Sequence, residues 1–259
     1  MFENKYPLFK KGSVLLKKDL DLLRDNSLEI LNLTYFGKKD GIIEGFELIT
    51  DLKAKEVTIT RGIIKHDGEL YWMKEDYTFE MPKEENRYIL KLSLKNYFKD
   101  RKYFVKRGEF LIESGREIKE NEMEIARFIT REGAQLRNDY QNFHDLKRDF
   151  NLLEIVNVKY SSYHELGTFH PMVTKLWGID AAKKENLDIF DINFCTACLQ
   201  GKVEREVIIS YINIKQDLRR GDYTNEELYT YLVKILEGLG KEKERIEKKK
   251  IVPRRITID

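Results

Sequence analysis

Residues 88–95, Tyr-Ile-Leu-Lys-Leu-Ser-Leu-Lys, alternate Tyr88, Leu90, Leu92 and Leu94 with Ile89, Lys91, Ser93 and Lys95. Strand side chains point to opposite faces in turn, so this period of two gathers the leucines on one face of an extended segment. The same period runs back toward the N-terminus. Tyr77, Phe79 and Met81 alternate with Thr78 and Glu80, and Leu70 and Trp72 flank Tyr71. Val57 and Ile59 alternate with Thr58 and Thr60, and Phe46 and Leu48 with Gly45, Glu47 and Ile49. Turn chemistry separates the runs at Lys39-Asp40-Gly41, His66-Asp67-Gly68 and Pro82-Lys83-Glu84-Glu85-Asn86. Asp-Gly is a hairpin signal because the tight turns need positive φ, which glycine adopts without a Cβ clash. Residues 41–115 therefore predict an antiparallel β-region. One more hairpin is predicted from Glu124-Ile-Ala-Arg-Phe-Ile-Thr followed by Arg131–Leu136.

Outward from this centre the period becomes helical. Leu16, Leu20 and Leu23 form an i, i+4, i+7 stripe behind a predicted N-cap at Gly12-Ser13, and Asp25-Asn26-Ser27 interrupts it. After the strands, Phe143, Leu146, Phe150 and Leu153 form another stripe, as do Val207, Tyr211, Ile214 and Leu218. Thr224 and Glu227 fit a capping box ahead of Leu228, Leu232, Ile235 and Leu239, with Gly238 and Gly240 as the stop. The predicted class is α+β: an N-terminal helical segment (1–40), an antiparallel β docking domain (41–140), a helical domain (141–240) and a charged tail (241–259).

Composition bounds the function. The chain has 259 residues, 36% charged and 12% aromatic, with 47 basic and 45 acidic residues giving +2. The aromatic load excludes intrinsic disorder, and near-neutrality argues against a nucleic-acid binder, whose domain pI usually exceeds about 9. The tail concentrates eight basic against four acidic residues, with Lys248-Lys249-Lys250 and Arg254-Arg255 able to meet phosphates or an acidic protein surface. Its acids interleave with its bases, as in a solvated terminus. The apolar run Val14-Leu15-Leu16 is too short for a signal peptide, and no stretch approaches the roughly 18–20 apolar residues of a membrane span. With two cysteines, synthesis in the cytoplasm with reduced thiols is expected.

The sharpest chemical string is Cys195-Thr196-Ala197-Cys198. A redox pair needs its first thiol at a helix N-terminus after a strand, and that context is missing. With His164 and His170 the pair offers four nitrogen and sulfur ligands for a structural zinc, or for a metal-dependent enzyme. The plainer reading is that the cysteines are small buried hydrophobes. No G-x-S-x-G, H-E-x-x-H, Walker or dinucleotide motif occurs. No catalytic residue and no cofactor is assigned. Trp72 and Trp177 are expected in the core.

The order Gly41-Ile-Ile-Glu-Gly-Phe-Glu-Leu, Val57-Thr-Ile-Thr-Arg-Gly-Ile-Ile, His66-Asp-Gly-Glu-Leu-Tyr-Trp, Tyr77-Thr-Phe-Glu-Met-Pro and Tyr88-Ile-Leu-Lys-Leu resembles baseplate and tail-fibre-attachment proteins of phage tails and phage-tail-like bacteriocin particles. Glu124-Ile-Ala-Arg-Phe-Ile-Thr and Asp139-Tyr140 fit the same group, although Gln141 stands where that group carries an arginine. The likeness covers about residues 10–145. It implies a non-enzymatic structural subunit, either in the baseplate or as an adaptor to a receptor-binding fibre. The implied partners are other baseplate and fibre proteins and further copies of itself, with no small-molecule substrate, membrane span or nucleic acid. Such a chain is made in the bacterial cytoplasm and assembled into a particle released on lysis. In this reading Gly45, Gly62 and Gly68 serve turns, bulges or close backbone approach.

Overall fold

The computed structural model describes residues 5–51, 55–99, 101–115, 117–133, 135–147 and 151–240. The basic tail 241–259 and Phe150 lie outside the described residues. The chain is α+β. Helix α1 (Lys17–Thr34) is followed by strands β1 (Gly41–Gly45), β2 (Leu48–Asp51), β3 (Glu56–Ile59), β4 (Gly62–His66), β5 (Glu69–Met73) and β6 (Tyr77–Glu80). Three longer strands come next, β7 (Asn86–Lys99), β8 (Tyr103–Ser114) and β9 (Glu122–Thr130). A single 3-10 turn (Phe143–Lys147) precedes helices α2 (Pro171–Ala181), α3 (Ile189–Gln200), α4 (Arg205–Gln216) and α5 (Asn225–Gly238).

The strands form three antiparallel sheets, ordered β1-β4-β5, β2-β3-β6 and β8-β7-β9. β7 is central in its sheet. Leu90, Leu92 and Leu94 are buried, as the alternation predicts. Asp67 and Gly68 both take positive φ, at 50° and 72°, and close the β4–β5 hairpin. The predicted single strand through Phe46 is instead broken into β1 and β2, because Phe46 itself turns to φ 59°. Beside it, Gly45 and Gly62 are register partners whose backbones nearly touch. A Cβ on Gly45 would sit 2.0 Å from the Arg61 carbonyl oxygen, and one on Gly62 2.3 Å from that of Glu44. Glycine is required there because any side chain would force the crossing apart.

Three local expectations are corrected. Helix α1 starts later than predicted and is not interrupted. Ser13 is occupied upstream, its hydroxyl accepting from the Lys10 N–H at 3.2 Å, while the Asp19 carboxylate takes the Leu16 N–H. Ser27 stays helical by donating to the Leu23 carbonyl at 3.1 Å. Among the described residues, the hairpin expected from Glu124–Thr130 followed by Arg131–Leu136 is not seen. β9 pairs with β7, and Arg127 on β9 exchanges backbone bonds of 2.9 and 2.7 Å with Glu154. Of the helix expected through Phe143 and Leu153, the described residues show one 3-10 turn over Phe143–Lys147 and no helix at Leu152 and Leu153. Here polar side chains compete for the backbone: Asn142 accepts from the Asp145 N–H at 3.0 Å, and Asp145 from the Gln141 N–H at 2.9 Å.

Residues 151–170 form no helix, yet they are the seam of the molecule. Tyr160 bridges to Ile42 on β1 and to Thr168, and Leu152, Leu153, Ile155, Val156 and Val158 are buried. One continuous set of buried side chains joins Ile42, Ile59 and Leu92 to Trp177, Leu228 and Leu239. In α4 the buried face is Ile208, Ile209, Tyr211 and Ile212, while Val207 and Ile214 face out. The predicted stripe there was rotated toward solvent. Trp177 is fully buried and donates its indole N–H to the Leu232 carbonyl at 3.1 Å. Trp72, also expected in the core, is half exposed.

Candidate docking surface

The metal-ligand candidates are held by local bonds. His164 accepts the Leu166 N–H on Nδ1 at 3.2 Å. His170 caps α2, with Nδ1 accepting from the Met172 N–H at 3.0 Å and Nε2 3.3 Å from the Glu47 carboxylate. Each lone pair that could bind a metal on His170 is thus already engaged, or its nitrogen carries the proton shared with Glu47. Cys195 and Cys198 lie within α3, not at its start, and both are buried. Cys195 donates to the Gly178 carbonyl, and burial pushes both thiols above the usual thiol range. Among the described residues no group of three or more His, Cys, Asp or Glu side chains is arranged to hold a metal ion.

His170 has a structural task in the chain as it stands. The His170 N–H, together with a 3.2 Å bond from the Tyr160 hydroxyl, holds the Glu47 carboxyl below its ordinary range against the cost of burial. That trio ties the β1–β2 connection to the first turn of α2. Other buried charges are matched in the same way. Lys91 on β7 reaches Glu113 on β8 at 2.7 Å and Glu122 near the start of β9 at 2.8 Å. Arg205 on α4 donates to Asn225 at 2.7 Å and to the Tyr223 carbonyl and lies 3.5 Å from the Asp222 carboxylate, while its buried Nε makes no hydrogen bond. Lys215 bridges Asp188 and Asp191 at 2.8 and 2.7 Å. These groups hold elements together, and Lys91 and Glu113 do so at the edge of a shallow cleft of about 380 Å³.

What does face outward is apolar. β9 stops pairing with β7 at Ser93, and the β7–β8 ribbon continues alone to the turn after Lys99. Its root is fastened to β5: the Tyr71 hydroxyl donates to Asn96 at 2.9 Å, and Lys106 donates to the Leu70 carbonyl at 3.2 Å. Beyond that root the ribbon carries Tyr97, Phe98, Tyr103 and Phe104. Phe98 and Phe104 are register partners with ring centroids 5.2 Å apart, and they are 76% and 53% exposed. A two-stranded ribbon is marginal by itself, and such a cross-strand aromatic pair is what holds it. Around these rings the sequence sets six basic residues in 95–107 against one acid.

Below the tip lies a groove of about 810 Å³. Its floor is the apolar face of β5, β7 and β8, including Tyr71, Leu92, Leu94 and Phe110, and its outer wall is Leu28 and Leu31 of α1. Helix α1 has no buried residue at all. Groove, aromatic tip and α1 together make a wet apolar surface on an otherwise highly charged chain. The signal for the tip was visible as the near-mirror string Tyr97-Phe98-Lys99-Asp100-Arg101-Lys102-Tyr103-Phe104. Periodicity alone could not say that β9 ends short of it.

No protein-family model and no curated protein sequence matches this chain. Solved structures that are similar to it come from type VI secretion baseplates. One is a chain of the TssK-TssF-TssG baseplate subcomplex, with 9% identity, a TM-score of 0.44, and 91% of this chain and 100% of that chain covered. A second, from the baseplate complex of the type VI secretion system, has 10% identity, a TM-score of 0.35 and the same coverage. A crystal structure of TssK has 8% identity and a TM-score of 0.37, with 91% of this chain and 68% of that chain covered. Among the described residues no helix is long and apolar enough to cross a membrane.

Proposed function

We propose that this chain is a non-enzymatic structural subunit of the baseplate of a contractile, phage-tail-like particle. It would hold neighbouring subunits, or a fibre, through the β7–β8 tip and the groove beneath it. The observation that carries the reading is the exposed aromatic ribbon rooted on a buried, ion-paired sheet. Phe98 on β7 and Phe104 on β8 sit in water beyond the buried middle of β7, an arrangement suited to insertion into a partner. The surrounding lysines and arginines fit an acidic protein surface, which they would attract and orient. The sequence pattern over residues 41–140 supports the same assignment by its resemblance to tail-particle proteins. In this proposal residues 41–140 act as the docking domain and 141–240 as its helical support.

Immunogold labelling of tail-like particles purified from cells encoding the chain tests it. Label at one end of the particle, lost in the Phe98→Asp, Phe104→Asp double variant, is the expected result. Particles that never carry the chain would overturn the proposal.

A further inference from the structure

Helix α1 is long, apolar on one side and uncovered. In proteins most helical stability comes from packing an apolar face. Leu16, Leu20, Leu23, Ser27, Ile30 and Thr34 follow one another at spacings of 4, 3, 4, 3 and 4. That is the a/d alternation of a coiled-coil seam, with d at Leu16, Leu23 and Ile30 and a at Leu20, Ser27 and Thr34. Leu16, Leu20, Leu23 and Ile30 are all exposed. The two polar seam residues need no outside partner: Ser27 donates to the Leu23 carbonyl at 3.1 Å and Thr34 to the Ile30 carbonyl at 2.8 Å. The groove side of α1 is Arg24, Leu28, Leu31 and Asn32, so the seam residues stay clear of the groove and Arg24 lies at the border between the two.

We propose that α1 pairs in parallel with α1 of a second copy of this chain, through the seam from Leu16 to Thr34. The charges flanking the seam choose both the partner and its direction. In this frame Asp19 is a g position and Arg24 the e position five residues on. A parallel pair sets Asp19 of each copy against Arg24 of the other, which is attractive twice over. An antiparallel pair sets Arg24 against Arg24 and Asp19 against Leu33. Arg24 already bonds Asp25 at 2.7 Å and lies 3.4 Å from Asp21. A guanidinium has five N–H donors, which leaves it able to reach a second carboxylate. The pairing does not require a particle, so it stands or falls separately from the baseplate assignment.

Sedimentation velocity of the full chain at ~100 µM reads the pairing directly, since association follows concentration by mass action. An oligomer is expected. The double variant Leu20→Glu, Leu23→Glu should be monomeric, and should melt like the wild type at concentrations low enough that both are monomers, because neither side chain is buried in the monomer. Arg24→Glu should weaken association about tenfold at low salt, where exposed charge pairs count most. A Leu16→Cys variant should form a disulfide-linked dimer on mild oxidation, since parallel pairing brings position 16 to its own copy and the native cysteines are buried. A monomeric wild-type chain overturns the proposal. So does an oligomer that survives the double glutamate change, or one that oxidises without cross-linking at position 16.

Discussion

Trp177 and Phe98 are both large aromatics on regular elements, but the first is wholly buried and the second is 76% exposed. Around Trp177 each group has a partner. Phe194 and Tyr211 lie against the indole with centroids 4.8 and 5.4 Å away, Tyr211 donates to Asp191 at 2.7 Å, and Lys215 neutralises that carboxylate. Around Phe98 the only aromatic neighbour recorded among the described residues is Phe104 across the ribbon. The same chain therefore completes its packing around Trp177 and leaves it open at the ribbon tip and on α1, with a further exposed apolar set on α3 and α4 at Ile189, Phe190, Ile192, Leu199 and Ile214. The open surfaces differ from the closed ones in what a substitution should do: closed sites answer in stability, open sites in association.

The largest effect on stability is expected at Trp177. Trp177→Ala removes a fully buried side chain and orphans the Leu232 carbonyl. The cost should be about 3–5 kcal/mol, measured by urea denaturation. A loss under about 1 kcal/mol would mean that the helical layer is not the closed region its packing describes.

Lys91→Met is the next sharpest test, and its effect depends on pH. Removing the cation leaves Glu122 buried without its ion-pair partner, which should cost about 3 kcal/mol at pH 7. In the native sheet, burial raises the Glu122 pKa, but the Lys91 ammonium and the Lys119 N–H outweigh it and hold the carboxyl below its ordinary value of 4.5. A depressed carboxylate contributes stability that is complete above the unfolded value and fades as pH falls through the folded one. The wild type should therefore lose this contribution below about pH 4.5. In Lys91→Met, with the partner gone, burial dominates and Glu122 takes up its proton sooner. The gap between variant and wild type should narrow from pH 7 to pH 4, and a gap that widens on acidification would contradict the ion pair.

These two regions also differ in how far the sequence foretold them. Where a side chain's fate is settled by its immediate neighbours, the reading was direct. The Leu90-Leu92-Leu94 alternation, the Asp67-Gly68 turn and the Thr224–Glu227 box each depend on a few adjacent residues. Thr224 accepts from the Glu227 N–H at 3.2 Å, and the Glu227 carboxylate accepts from the Thr224 N–H at 2.8 Å. Where the answer depends on distant chain, the period misled. The stripe Val207, Tyr211, Ile214 and Leu218 places Tyr211 inside correctly, but Val207 and Ile214 face out, and the buried face of Ile208, Ile209, Tyr211 and Ile212 is set by packing against the other helices. Residues 151–170 carry no period because they are buried from several sides at once, by β1, β9 and α5. The docking surface was least legible. An exposed Phe98 and a buried Leu94 sit on one face of one strand, and the boundary between them is the point where β9 stops.

Thr224→Ala should cost about 1 kcal/mol, the usual loss for an N-cap whose side-chain bond is made. Calorimetry should show a modest drop in melting temperature with unchanged association. This separates a closed-region defect from an assembly defect at a magnitude too small to unfold the chain.

The smallest effect on folding and the largest contrast with Trp177 are expected at the ribbon tip. Phe98→Asp with Phe104→Asp removes the cross-strand ring pair, worth about 0.5–1.5 kcal/mol locally. The ribbon beyond Leu94 contributes no buried side chain among the described residues, so global stability should shift by no more than about 0.5 kcal/mol. The new carboxylates would also lower the positive charge of a tip that holds six basic residues. Local loosening should appear as faster amide exchange in 97–105 while β7 below Ser93 keeps its protection, because exchange reports opening segment by segment. Loss of protection reaching Leu90 and Leu92 would mean that tip and core are one cooperative unit. The tip would then be part of the fold, and not a surface held open for a partner.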